Sequence, residues 1–151
     1  DPSGAVTVAW RRTGTDGRYG VQARRRAAGS GWSPIADLVD DAGQPTPSVS
    51  VAADGAGNAF VVVNRFVAAP LEARLLAARY AVSTDTWTVA SGLSVPGQFA
   101  VSSAVAVDPA GSAVAVWYQS SGIQATHALR WDATPAPPMA LRSAARAAAC
   151  R

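Results

Sequence analysis

Short apolar runs, most of them alternating a branched side chain with a small one, are separated along this chain by clusters of Asp, Gly, Pro and Ser. That punctuation predicts an all-β protein. SVSVAA (48–53) and SAVAVD (103–108) run into an Asp-x-x-Gly cluster, and AFVVV (59–63) and SAVAVW (112–117) run out of it. Asp in the first place of such a turn can accept hydrogen bonds from backbone N–H groups just ahead, and Gly in the fourth supplies a left-handed φ, so each cluster predicts a hairpin. The turn residues are Asp1 and Gly4, Asp54 and Gly57, Asp108 and Gly111. Val105 and Val107 alternate with Ala104 and Ala106, so neither face of that strand is polar. A strand apolar on both faces must be covered on both.

The pattern repeats. DPSGAVTVAW (1–10), DGAGNAFVVV (54–63) and DPAGSAVAVW (108–117) align, with the aspartates 53 and 54 residues apart. Trp32 and Trp87 stand 55 apart, and VQARRR (21–26), LLAARY (75–80) and IQATHALRW (123–131) fall between. A period near 54 lies just above that of the shorter propeller repeats. Each copy reads as four antiparallel strands: one into the turn, one out of it, a third at 21–26, 75–80 or 123–128, and a fourth beginning at Trp32 or Trp87. Four short strands per repeat describe a blade of a β-propeller. The expected division is a partial blade of three strands over 1–47, a complete blade over 48–100, the first three strands of another over 101–134, and a Pro/Ala/Arg-rich tail over 135–151, irregular or a short helix. Trp10, Trp32, Trp87 and Trp117 are expected in the core. Three partial or whole blades cannot close a ring, so the reading is an incomplete arc with apolar outer faces; a β-sandwich is the alternative.

Composition narrows the function classes. All 13 basic residues are Arg, the formal net charge is +3, and 15% of residues are charged. The one basic run, Arg24 to Arg26, would be split between two faces of a strand, so no nucleic-acid patch is expected. No apolar run is long enough for a membrane helix. A lone Cys150 can form no internal disulfide.

Candidate chemistry is sparse. Asp54, Asp108 and Asn58 offer oxygen ligands in tight turns, but the alternating ligands and closing Glu of a calcium loop are missing, so no metal and no cofactor are expected. His127 has no partner at metal-ligand or triad spacing and reads as a strand residue. The only Glu, Glu72, is expected in a loop without a second acid, whereas glycoside chemistry needs a pair of acids or a Tyr nucleophile with an acidic partner. A sialidase-type Ser-x-Asp-x-Gly-x-x-Trp signature does not match, since Gly111 is three past Asp108 and Trp117 nine past. Arg11, Arg12, Asn64, Arg65, Tyr118 and Gln119 follow the second strand of successive repeats and would gather on one rim; they are the candidate ligand-binding residues.

VAVDPAGSAVAVW followed by IQA, and VQARRRAAGSGWSP after VAWRRTGTDG, resemble repeats of large secreted or surface proteins of actinobacteria and related bacteria, which are read as β-propellers. The resemblance covers residues 1 to about 131 and implies a secreted or cell-surface location in a bacterium and a larger ring whose other blades pack on this piece. It implies no defined activity. The expectation is a non-catalytic binding or interaction module, with a glycan or a surface protein as partner. The alternatives are a fragment of a propeller-fold glycoside hydrolase whose catalytic residues lie outside this chain, and a structural spacer.

Overall fold

The computed structural model describes residues 1–15, 17–42, 48–68, 71–90, 93–120 and 124–131. The expected tail at 135–151, with Cys150, lies outside the described residues. Within them the protein is all-β, with ten strands and no helix: β1 (Val6–Thr13), β2 (Arg18–Arg26), β3 (Ala36–Ala42), β4 (Ser48–Ala53), β5 (Ala59–Ala68), β6 (Leu71–Ala81), β7 (Thr86–Ala90), β8 (Phe99–Val107), β9 (Ala113–Ser120) and β10 (Gln124–Trp131). They form three antiparallel meanders, β1-β2-β3, β4-β5-β6-β7 and β8-β9-β10. A single parallel pairing, Ala73 with Phe99, joins the second to the third where β6 runs beyond its pairing with β7.

Two boundaries differ from the sequence reading. The fourth strand of the first repeat begins at Ala36, not at Trp32, which makes only an isolated pairing with Arg26. The intervening Ser33 is occupied by the chain itself: its hydroxyl accepts from the Arg25 N–H at 3.0 Å, and its carbonyl accepts from Arg24 Nε at 2.8 Å. Glu72 sits within β6 rather than in a loop.

The three Asp-x-x-Gly turns adopt one geometry. Gly4, Gly57 and Gly111 have φ of 83°, 86° and 92°. Their N–H groups donate to the carbonyls of Asp1, Asp54 and Asp108 at 3.0, 3.2 and 3.0 Å. Each Asp carboxylate then accepts the N–H of the residue four on, Ala5, Asn58 or Ser112, at 2.9 Å. The turns abut in chain order. Gly55 N–H donates to Pro109 O at 3.1 Å, joining the second to the third. A Cβ on Gly57 would fall 2.6 Å from Asp1 Oδ2, which brings the first turn against the second.

The meanders also stack face to face. Val61 and Val63 of β5 with Leu76 and Ala78 of β6 pack on Val21, Ala23, Leu38 and Val39, with Ala9 beside them. The opposite face of the same meander, Val62 with Leu75 and Ala77, packs on Ala100, Ala115 and Trp117. The second meander is therefore apolar on both sides because it is covered on both sides. The stack has a direction. The repeat offsets of 53 and 54 make Val8, Val61 and Ala115 equivalent, as they do Trp10, Val63 and Trp117, and Ala9, Val62 and Val116. The face bearing the first two sets, here the leading face, packs on the preceding meander; the face of the third set, the trailing face, packs on the following one.

Candidate interaction surface

β1, β5 and β9 all run away from the Asp turns, so Arg11, Arg12, Asn64, Arg65, Tyr118 and Gln119 lie toward the opposite end of the stack. They do not form one open surface. Asn64 is 0% exposed. Its Nδ2 donates to Ala100 O at 2.7 Å, and its Oδ1 accepts from Ser48 Oγ at 2.5 Å, Ser103 Oγ at 2.6 Å and Ser103 N–H at 3.2 Å. This amide ties β5 to β4 and to the start of β8, where the register shifts between Val101 and Ala104 and Ser102 takes a positive φ of 53°. Such a bulge leaves backbone groups off the ladder, and Asn64 supplies a partner for one of them. Gln119, 1% exposed, accepts from Trp117 Nε1 at 2.9 Å and donates to Gln98 Oε1 at 2.5 Å. Both amides are committed inside the protein, so a ligand role for Asn64 and Gln119 is replaced by a structural one. Arg12 pairs with Asp40 at 3.5 Å on the surface; Arg11 is exposed, and Arg65 and Tyr118 are half-buried.

Glu72 is likewise a clip. Buried in β6, it accepts from Gly97 N–H through Oε2 at 2.5 Å and from Arg74 through Oε1. With the Ser94 hydroxyl accepting from Leu75 N–H at 2.9 Å, it fastens the 93–98 loop along β6. The Gly97 N–H above all, and then Arg74, hold its pKa below the ordinary glutamate value, so it is an ionised anchor rather than a poised acid. Asp108 is shifted down in the same way by the Ser112 N–H. His127 lies in β10, opposite Trp117 in register.

The four tryptophans expected in the core separate by their coverage. Trp117 is buried, and Trp10 and Trp87 are half-buried, Trp87 against the first meander and 5.4 Å from the Tyr80 ring. Trp32 departs from the expectation: it is 43% exposed. Its equivalent, Trp87, packs against the first meander, whereas Trp32 packs against no other meander of the described residues. Arg24 and Arg26 stand over Trp32 at 5.9 and 5.7 Å, so a cation–π contact replaces the Tyr80–Trp87 pair of the next repeat.

Two faces that carry exposed valines are thereby open. On the leading face of the first meander Val6 and Val8, opposite Arg26 and Arg24 in register, are 39% and 37% exposed. On the trailing face of the third, Val114 and Val116 are 40% and 38% exposed.

A groove of about 310 Å³, lined by Arg25, Ser30, Trp32, Ser33, Tyr80 and Asp85 among others, opens where the first and second meanders meet on the turn end of the stack. Arg25 spans it, 3.7 Å from the Asp1 carboxylate and 5.2 Å over the Tyr80 ring. Tyr80 donates its hydroxyl to Asp85 Oδ1 at 2.5 Å; burial first, and then the carboxylate, raise its pKa. Asp85 holds a positive φ of 52°. The sequence reading met Arg25 only within the Arg24 to Arg26 run and did not single out Tyr80 or Asp85, although Tyr80 stands 54 residues past Arg26 in the repeat that fixes Trp32 and Trp87. Among the described residues no cluster of three or more His, Cys, Asp or Glu side chains could hold a metal ion. Comparison with family models, with curated proteins and with solved structures returned no match for this chain.

Proposed function

We propose that the chain is an arc of a β-propeller, each meander a blade, and that it serves as a non-catalytic protein-interaction module of a secreted or cell-surface bacterial protein. The one-directional stack supports the arc: leading face on trailing face, twice in succession, with the three Asp turns side by side. A two-sheet sandwich would leave one face of each sheet to water, whereas the second meander has both faces buried. Secretion rests on the resemblance of the repeats.

The observation that carries the interaction reading is the pair of open faces with exposed valines, Val6 and Val8 on one and Val114 and Val116 on the other. Exposed contiguous apolar surface on a folded protein marks a place where another surface sits. The test is binding of an environment-sensitive apolar dye to the folded chain and to a Val8→Glu/Val116→Glu variant. Dye bound by the wild type and lost in the variant is the expected result; a wild type that binds none overturns it.

The groove beside Trp32 favours a second reading, a saccharide ring stacked on the exposed indole with Arg25 and Asp85 at its edge. Saturable binding to a glycan array that disappears in Trp32→Ala would establish that reading in place of the first.

A further inference from the structure

The two open faces are the two halves of an interface that the chain already makes twice. Val8 and Trp10 on the first meander are the equivalents of Val61 and Val63, which receive the Ala9 face, and of Ala115 and Trp117, which receive the Val62 face. Val116 on the third is the equivalent of Ala9 and Val62, the residues that dock. Each open face therefore lacks the partner that the other provides.

We infer that copies of this chain assemble head to tail, the trailing face of the third meander of one copy seating on the leading face of the first meander of the next. The inference rests on the arc reading and names its partner. An interface of this kind is heterologous: the two surfaces differ, so growth continues until a ring closes or a fibre forms. The first leading face is the more polar version, with Gln22 and Arg24 standing where the second meander has Leu76 and Ala78. A wetter interface of that composition points to reversible association rather than to a permanent assembly.

The experiment is light scattering across concentration on the wild type, on Val8→Glu, on Val116→Glu and on their equimolar mixture. The glutamate at position 8 falls opposite Arg24 and that at 116 on an exposed strand face, so both variants should fold; Val6→Glu and Val114→Glu are the replacements should either lose its β signal in circular dichroism. Wild type is expected to gain mass with concentration. Each variant alone should remain monomeric, and the mixture should stop at a dimer, since each copy then keeps one working face and the pair is capped at both ends. A wild type monomeric at about 100 μM, a single variant that still assembles, or a mixture that stays monomeric overturns the inference. A monomeric wild type that binds apolar dye at Val8 and Val116 removes the self-assembly and keeps the arc; one that binds no dye removes both.

Discussion

Asn64 separates two readings of one position, a ligand-binding residue on a rim and an internal staple. Asn64→Ala removes the donor to Ala100 O and the acceptor for Ser103 N–H and the hydroxyls of Ser48 and Ser103. Ala100 is 0% exposed, so its carbonyl is stranded without water, at a cost of about 2 kcal/mol. Ser48 and Ser103 are half-buried and recover most of their bonds from solvent, which together with the lost packing adds about 1 kcal/mol. The sum, about 3 kcal/mol, should lower the urea midpoint by roughly 1.5 M at a slope of about 2 kcal/mol/M, with the slope itself unchanged. The assay is equilibrium urea unfolding followed by far-UV circular dichroism and by tryptophan fluorescence, whose coincidence checks two-state behaviour. The exposed Arg11→Ala is the control and should move stability by about 0.5 kcal/mol or less. A midpoint shift for Asn64→Ala no larger than that of the control would refute the staple and return Asn64 to the rim.

Glu72→Gln should flatten the acid limb of thermal stability: the folded pKa of Glu72 is depressed, so its contribution is present above the ordinary glutamate pKa and is lost as pH falls through the folded value. Melting temperatures of the two proteins from neutral pH downward check this, and parallel curves would refute it. Tyr80 has the opposite sign. Its folded pKa is raised, so its contribution is complete below the ordinary tyrosine pKa and is lost as pH climbs through the folded one; Tyr80→Phe should remove that alkaline loss, read from melting temperature at rising pH. Trp117→Ala should cost about 3–5 kcal/mol and Trp32→Ala less than about 1 kcal/mol, since only the first is buried; chemical denaturation of both variants decides. Gly20→Ala should destabilise by more than about 2 kcal/mol, because the new Cβ meets the Val39 carbonyl oxygen at 2.5 Å, while Gly17→Ala, with open space and only a φ of 74° against it, should cost about 1 kcal/mol in the same assay.

What could be read along the chain was whatever a local pattern and its repetition determine. The Asp-x-x-Gly turns were legible because Asp, its N–H partners and the left-handed Gly all lie within five residues, and their recurrence at 53 and 54 residues marked out the strands on either side. What escaped was set by neighbours distant in sequence. Asn64 looked like a rim residue because its place in the repeat is shared with Arg11 and Tyr118; the partners that bury it, Ala100 and Ser103, lie 36 and 39 residues away and are brought to it by stacking. Glu72 looked like a loop acid because Ala and Pro run up to it, and the Gly97 N–H that fixes it comes from beyond β7. Trp32 and Trp87 show the limit most plainly. The repeat makes them equivalent, and each lies opposite its cationic or aromatic neighbour, Arg26 for Trp32 and Tyr80 for Trp87. Yet one is covered and the other open, because burial belongs to the order of the stack and not to the unit. A repeat can specify both halves of an interface within every copy of itself, but only a neighbour on the correct side makes either half a core.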